Sequence, residues 1–322
     1  MNKSTYIKLA VFLAIIIAVP FFISNKYFLS VLVFAGIYAI AANGLSMLMG
    51  YAGQISMGHA GFLAIGGYAS AVMTKQYGWH PVQALVLGIV ITIFAALLIG
   101  LPALRLKGHY LAMATLGFGE IIYVICNAAI GVTGGPSGFS GVPYMSFFGV
   151  IFKSELAKYY LAWGVAFVAV VISLNIINSR VGRALKSIHG DETAASAMGV
   201  NVAYYKIQVF VYSAVLASIA GSLYVHHMRF VSPTGFNLNK SILLLIMIMS
   251  GGMGSLWGAV IGAVIFTLLP QLLGVFDDYD ILMYGLVLLG MMMFMPDGLV
   301  GLAKIVYNKA KALIKRSPGG ER

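Results

Sequence analysis

Glu120 is the side chain with the clearest chemical potential, because it is an acidic residue near the middle of a long apolar stretch. A carboxylate at mid-membrane costs about 3 kcal/mol on insertion scales, so we expect it to face protein or water rather than lipid. Thr115 and Gly119 share one helix face, and Gly117 and Gly119 would let a neighbouring backbone approach closely. Two interpretations stay open: a transport-path or proton site, and a structural carboxylate bonded to a neighbouring helix.

A glycine-rich loop at 131–143 is the next candidate, and it is too rich in glycine to form a helix. Its backbone N–H groups and hydroxyls suit a small polar solute, although a flexible connector is the simpler interpretation. His59 is the histidine we expect nearest to membrane depth, at the start of a span. Besides the residues around Glu120, the candidate substrate path contains Gln54, His59, Thr133, Gly134 and Gly135.

A polar segment at 179–204, which we call the polar segment throughout, interrupts the apolar sequence. Asp191 is a predicted N-cap, and Glu192 lies in the first turn, where its charge suits the helix dipole. Gly199 predicts the end of that helix. A short helix of small residues suits a groove on a partner, so we interpret the segment as a docking device. Its candidate docking residues are Gly182, Arg183, Asp191, Glu192, Ala194, Ala195 and Gly199.

The composition indicates a polytopic α-helical membrane protein. Hydrophobic residues make up 61% of the chain and charged residues 9%, and the mean hydropathy is +0.95. Soluble domains carry about 25% charge. The net charge of +11 comes from cations in loops and near the C-terminus, which is typical of membrane orientation and argues against nucleic-acid binding. The single Cys126 excludes disulfides within the chain and a cysteine metal site.

The apolar runs predict an all-α bundle of about 8–10 membrane segments, with broken or re-entrant helices, in a single transmembrane domain covering 1–322. With the N-terminus inside, every basic cluster falls on the cytoplasmic side, including the polar segment and a basic tail at 302–322. Residues 131–158 and the acidic run 277–280 then lie outside. The predicted spans are 5–23, 28–49, 58–74, 83–102, 110–130, 159–178, 205–225, 241–250 with 254–273, and 281–301.

Two glycine-rich breaks interrupt these spans. The run 241–250 is too short to cross, because ten helical residues extend only about 15 Å. We expect this helix to go part-way in, break at 251–255 and return. A similar break follows Met49. We call it the first break and the one at 251–255 the second break. Because both break in the same direction, an internal repeat is a further interpretation. Broken backbone at membrane depth is tolerated where it is buried or lines a cavity, so a transport path and simple close packing both stay open.

The sequence predicts no catalytic residue, no metal site and no cofactor of its own. It contains no Gly-x-x-x-x-Gly-Lys-Ser/Thr motif, so ATP-driven transport would need an ATPase on another chain. A haem-binding subunit of an oxidoreductase would need paired histidines inside the bundle, which the spans do not supply.

Three ordered motifs resemble the branched-chain amino acid permease family of bacterial ABC importers. They are the runs at 110–120, with Leu-Gly-Phe-Gly-Glu at its end, at 133–143 and at 182–199, and the similarity also takes in 53–62 and 250–258. Within 182–199, Glu192, Ala194, Ala195 and Gly199 resemble the Glu-Ala-Ala…Gly element by which importer permeases contact their ATPases. His109 and His189 depart from residues that are common in the family.

The resemblance implies a bacterial inner-membrane, multi-pass subunit with cytoplasmic termini. Its expected partners are a homologous permease subunit, two cytoplasmic ATPases that bind ATP and Mg²⁺, an extracytoplasmic solute-binding protein and membrane lipid. The expected substrate is a branched-chain or related hydrophobic amino acid. Alternatives are a permease for urea, short amides or sugars, and a self-sufficient secondary transporter that uses Glu120 as its proton site.

Overall fold

The computed structural model describes residues 3–272 apart from 24, 105, 107 and 148, together with residues 285–286. Apart from residues 285–286, the predicted span at 281–301 lies outside the described residues, as do the acidic run 277–280 and the basic tail 302–322.

Most of the described chain is α-helical, and the order of its apolar helices follows the predicted spans. The twelve helices are α1 (Lys3–Phe22), α2 (Lys26–Ser46), α3 (His59–Lys75), α4 (Pro81–Ala103), α5 (His109–Ala128), α6 (Ile130–Thr133), α7 (Glu155–Asn178), α8 (Arg180–Gly190), α9 (Glu192–Ala197), α10 (Val202–Met228), α11 (Leu238–Gly251) and α12 (Leu256–Leu272). A π-turn, Met47–Tyr51, continues α2. The bounds differ from the predictions by a few residues, because bilayer thickness fixes a helix's length better than its ends.

Six helices in the described part of the chain are long and apolar enough to cross a membrane: α1, α2 with its π-turn, α4, α5, α7 and α10. Their outer surfaces are apolar as well. On α1 and α4, Phe22 is 86% exposed and Phe94 is 69% exposed. Such surfaces require lipid or another apolar partner. The predicted polytopic helical fold is confirmed.

The centre of the bundle is built by α2, α3 and α10, which are held together by small residues. A Cβ at Gly221 on α10 would lie 2.0 Å from the carbonyl oxygen of Leu63 on α3. Gly66 on α3 is equally close-fitting, since its Cβ would lie 2.2 Å from the carbonyl oxygen of Ser218. Close backbone approach through small residues is how membrane helices associate without a hydrophobic driving force between them.

The pair α11 and α12 forms a helical hairpin whose turn, at 252–255, falls within the break predicted at 251–255. At the start of α11, the Ser241 hydroxyl accepts a hydrogen bond from the Ala60 backbone N–H at 2.9 Å. The turn between the two helices lies against Gly50, near the end of α2. From there α12 runs back along α2 until Gln271 meets the Tyr27 hydroxyl at the start of α2. The two helices therefore fold back on each other at this turn, and the return to the same membrane face stays a prediction.

The glycine-rich loop is more regular than predicted. Residues Ile130–Thr133 form a helical turn and Gly135–Ser137 a 3₁₀ turn, so the expectation that this loop contains no helix is wrong. The following strand β1 (Phe139–Ser140) pairs antiparallel with a strand after α10, which is β4 (Phe230–Val231). Strands β2 (Ser146–Phe147) and β3 (Val150–Ile151) form a hairpin before α7. The loop is thus tied to the end of α10 by backbone hydrogen bonds.

Candidate functional site

The polar segment begins with α8, which lies against the end of α7. The Ser179 hydroxyl accepts a hydrogen bond from the Val181 backbone N–H at 3.1 Å and caps α8. A Cβ at Gly182 would lie 2.1 Å from the carbonyl oxygen of Ile177, so only glycine fits this corner. Leu185 and Ile188 are buried, whereas Arg183 is exposed. Gly182 therefore shapes the segment, and Arg183 is available to a partner.

Helix α9 has the caps that the sequence predicted. The Asp191 carboxylate accepts a hydrogen bond from the Ala194 backbone N–H at 2.8 Å. At the other end Gly199 adopts a left-handed conformation with φ of 84°, and the Val200 N–H donates to the Ala195 carbonyl at 3.0 Å. These bonds satisfy the free backbone groups at both helix ends. The six-residue helix is thus defined by its own sequence.

The surface of α9 divides into an inner and an outer face. Ala195 is 3% exposed and holds the helix to the bundle, whereas Ala194 is exposed. Met198, just after the helix, is 85% exposed, and the sequence analysis did not single it out. Met198 is exposed because the chain turns tightly at Gly199. The periodicity of apolar residues does not reveal this exposure. Methionine is enriched in protein interfaces, and Met198 gives the polar segment an exposed apolar side chain.

Two clefts flank the polar segment. One, of about 280 Å³, lies between the first break and the start of α9; the other, of about 500 Å³, lies between α8 and the start of α10. The larger cleft contains Arg180, Arg183, Tyr204 and Tyr205 and reaches Met198. Both clefts are open to the surface, so they can receive side chains of a docked partner.

Glu192 makes contacts inside the chain that the sequence did not reveal. Its carboxylate lies 2.5 Å from the Lys206 ammonium, and Lys206 is only 2% exposed. The same oxygen accepts a hydrogen bond from the Gln54 side-chain amide at 3.3 Å. Gln54, predicted as part of a substrate path, therefore lies against the polar segment. Sequence offers no signal for this contact, since 138 residues separate the two side chains.

The two glycine-rich breaks meet each other. A Cβ at Gly50 would lie 2.3 Å from the backbone nitrogen of Gly254. Gly53, Gly252 and Gly254 have φ values of 67°, 113° and 82°, which favour glycine. Gly53 also lies close to the polar segment, because its Cβ would be 2.9 Å from Nδ1 of His189. The first break thus contacts both the second break and the polar segment.

Helix α5 carries Glu120 and supports the start of α3. The Thr115 hydroxyl accepts a hydrogen bond from the Met57 backbone N–H at 3.0 Å. Gly119 packs against the Gly58 backbone, as predicted, since its Cβ would lie 3.3 Å from the Gly58 Cα. At Gly117 no described residue of the chain lies within 4 Å of the Cβ position, so the close approach predicted there stays a prediction. Glu120 is half-buried on this helix.

His59, Thr133, Gly134 and Gly135 have structural contacts in their own regions. His59 is fully buried, and its two ring nitrogens lie 2.9 Å from the hydroxyls of Ser56 and Ser213. The Thr133 hydroxyl donates to the Cys126 carbonyl at 2.6 Å and so closes the end of α5. The next two glycines adopt left-handed conformations that form the turn.

The described residues contain no group of three or more His, Cys, Asp or Glu side chains that could hold a metal ion. The contacts described above are hydrogen bonds, one buried ion pair and close approaches of glycine backbone.

These helices define the class of the chain as a multi-pass membrane protein. The family described as the permease component of branched-chain amino acid transport systems matches residues 27–296. The chain belongs to this family, and the predicted class, a permease subunit of an ABC importer, is confirmed.

Individual relatives carry similar descriptions. The high-affinity branched-chain amino acid transport system permease protein LivM of Salmonella typhimurium is 33% identical over 315 residues, or 91% of this chain and 74% of that protein. The corresponding LivH of Escherichia coli is 26% identical over 283 residues, or 82% and 91%. The ribose import permease protein RbsC of Escherichia coli is 32% identical over 134 residues, or 39% and 41%. No solved structure matches the chain.

Proposed function

We propose that this permease carries branched-chain or related hydrophobic amino acids into a bacterial cell at the expense of ATP. The observation that carries the proposal is the family match over 27–296, supported by the LivM relative that aligns with 91% of the chain. The similarity to the ribose import permease covers 39% of the chain, which favours amino acids over sugars.

ATP hydrolysis takes place on two cytoplasmic ATPase subunits that bind ATP and Mg²⁺, and this chain docks them through the polar segment. Three features of the segment support this role. α9 is capped at both ends, Met198 projects from its tip, and Arg180 and Arg183 border the larger cleft. A rigid helix with one apolar anchor and nearby cations fits a groove with an acidic rim.

The remaining partners follow from the faces of the bundle. A homologous permease subunit covers the side of α5 where Gly117 has open space and Glu120 is half-buried, because a carboxylate at that depth should not face lipid. The chain's similarity to both LivM and LivH favours a second, related permease over a second copy. An extracytoplasmic solute-binding protein docks at the opposite end, where the paired strands β1 and β4 lie.

The orientation places the polar segment and both termini in the cytoplasm of a bacterium, with the chain in the inner membrane. The positive-inside distribution of Lys and Arg supports this orientation. In transport, closure of the ATPases displaces α9, and the spans rock between inward-open and outward-open states. The substrate path is formed along α5, with Thr115, Gly119 and Glu120 on or near it.

The test is uptake by proteoliposomes that contain this chain, its co-expressed ATPases, the second permease and the binding protein. We expect leucine uptake that requires internal ATP, that unlabelled isoleucine and valine inhibit, and that ribose and urea leave unchanged. Uptake by this chain alone under a proton gradient would overturn the proposal and favour a secondary transporter. ATP-dependent uptake inhibited by ribose or urea would leave the ABC class standing and overturn the substrate.

A further inference from the structure

The Glu192 carboxylate joins three parts of the chain through one oxygen atom. Oε1 lies 2.5 Å from the Lys206 ammonium on α10 and accepts a hydrogen bond from the Gln54 amide at 3.3 Å. The Gln54 amide also donates to the Ala52 carbonyl at 3.0 Å, directly after the π-turn. Helix α9 is thereby connected both to α10 and to the first break.

Burial distinguishes this group from an ordinary surface ion pair. Lys206 is 2% exposed and Gln54 is 5% exposed, and the Glu192 side chain is 23% exposed. Exposed ion pairs contribute little, because water competes for both charges. A buried ammonium needs its counter-charge, so separating α9 from α10 would leave Lys206 uncompensated. The contact therefore resists separation of the two helices.

The first break carries the connection onward. Gly53 fits against His189 of the polar segment, and Gly50 fits against Gly254 of the second break. At Gly50 the approach is backbone to backbone and too close for a Cβ, so movement of one break displaces the other, whereas Gly53 contacts the His189 ring. A continuous set of contacts therefore runs from α9 through the first break to the turn between α11 and α12.

We propose that Glu192, Gln54 and Lys206 form a latch that makes α9 and the first helix break move as one body. Displacement of the docked α9 then reaches both breaks. Gln54 and Lys206 are positioning residues for transport, because their described contacts lie within the chain and not on the docking surface. This inference rests on the proposed function, since it requires an ATPase that moves α9.

Gln54→Leu is the principal variant, because it removes the link to the break and leaves the Glu192–Lys206 pair in place. Lys206→Met is the second variant, and it removes the pair itself. Gln208→Leu, at an exposed position on α10, and Lys153→Met, an exposed cation at the opposite end, are the matched controls. Gel filtration in detergent checks that each variant is folded. Each assembled complex is then assayed for bound ATPases, ATP hydrolysis and leucine uptake.

We expect both latch variants to retain the ATPases and hydrolyse ATP, with leucine uptake per ATP reduced about tenfold. The controls should match the wild type. Unchanged uptake per ATP in a folded Gln54→Leu complex would overturn the latch. Loss of the ATPases from folded Gln54→Leu would also overturn it, because the residue would then belong to docking. Failure of the wild-type chain to bind ATPases would instead overturn the proposed function.

Discussion

Gly50→Ala tests the contact between the two helix breaks. The added Cβ would lie 2.3 Å from the Gly254 nitrogen and 2.6 Å from its Cα, whereas ordinary contact begins near 3.4 Å. The two backbones must therefore separate by about 1 Å, against close packing that resists such shifts. Gly252 and Gly254 have φ values of 113° and 82°, which residues with a Cβ rarely adopt, so the turn depends on these glycines.

The expected cost is about 1–3 kcal/mol of stability, as is typical when a methyl group is forced into a filled space. Uptake should fall as well, because the separated breaks no longer move together. Gly164→Ala on α7 is the matched control, since nothing lies within 4 Å of its Cβ position. Alanine there should be neutral or stabilise by about 0.5–1 kcal/mol, because glycine is unfavourable inside a helix.

The assay is thermal unfolding of both variants in the same detergent, followed by leucine uptake in proteoliposomes. Gly50→Ala should unfold at a lower temperature than the wild type, and Gly164→Ala should not. If Gly50→Ala were as stable and as active as Gly164→Ala, the close contact between the breaks would be refuted.

Three further variants address helix α9 and the half-buried Glu120 carboxylate. Asp191→Ala removes the cap on the Ala194 N–H and should destabilise α9 by about 1 kcal/mol, weakening ATPase co-purification, whereas Asp191→Asn should keep the cap and the ATPases. Equal loss in both variants would assign the effect to charge rather than capping. Glu120→Gln should reduce leucine uptake more than assembly of the complex if Glu120 lines the path. Equal loss of uptake and assembly would instead indicate a bracing role.

The sequence predicted the helices and the caps of α9 well, because both depend on local information. Apolar runs of bilayer length must become helices in a membrane, where each backbone group needs an internal partner. The cap at Asp191 and the stop at Gly199 also depend on nearby residues. The two breaks were visible for the same reason, since glycines at Gly53 and Gly254 adopt conformations that other residues avoid.

The pairing of distant residues was not predictable from the sequence. Nothing in the local pattern indicates that Gln54 meets Glu192, or that Lys206 is buried, because lysine is usually exposed. Gly117 is a related case: a glycine inside a helix usually indicates close packing, and among the described residues no neighbour approaches it. The helical turn at Ile130–Thr133 depends on the Thr133 hydroxyl, which bonds to carbonyls at the end of α5.

The central claim is that this permease works with ATPases docked on the polar segment. The most direct measurement is purification of the tagged chain from its native host in mild detergent, with mass spectrometry of the proteins that accompany it. Met198→Asp places a charge on the exposed tip of α9, and Val150→Asp does the same at an exposed position in the β2–β3 hairpin. We expect two ATPase chains and a second permease with the wild type and with Val150→Asp, and loss of the ATPases with Met198→Asp. A wild-type chain that purifies alone, or ATPases that stay bound to Met198→Asp, would contradict the account.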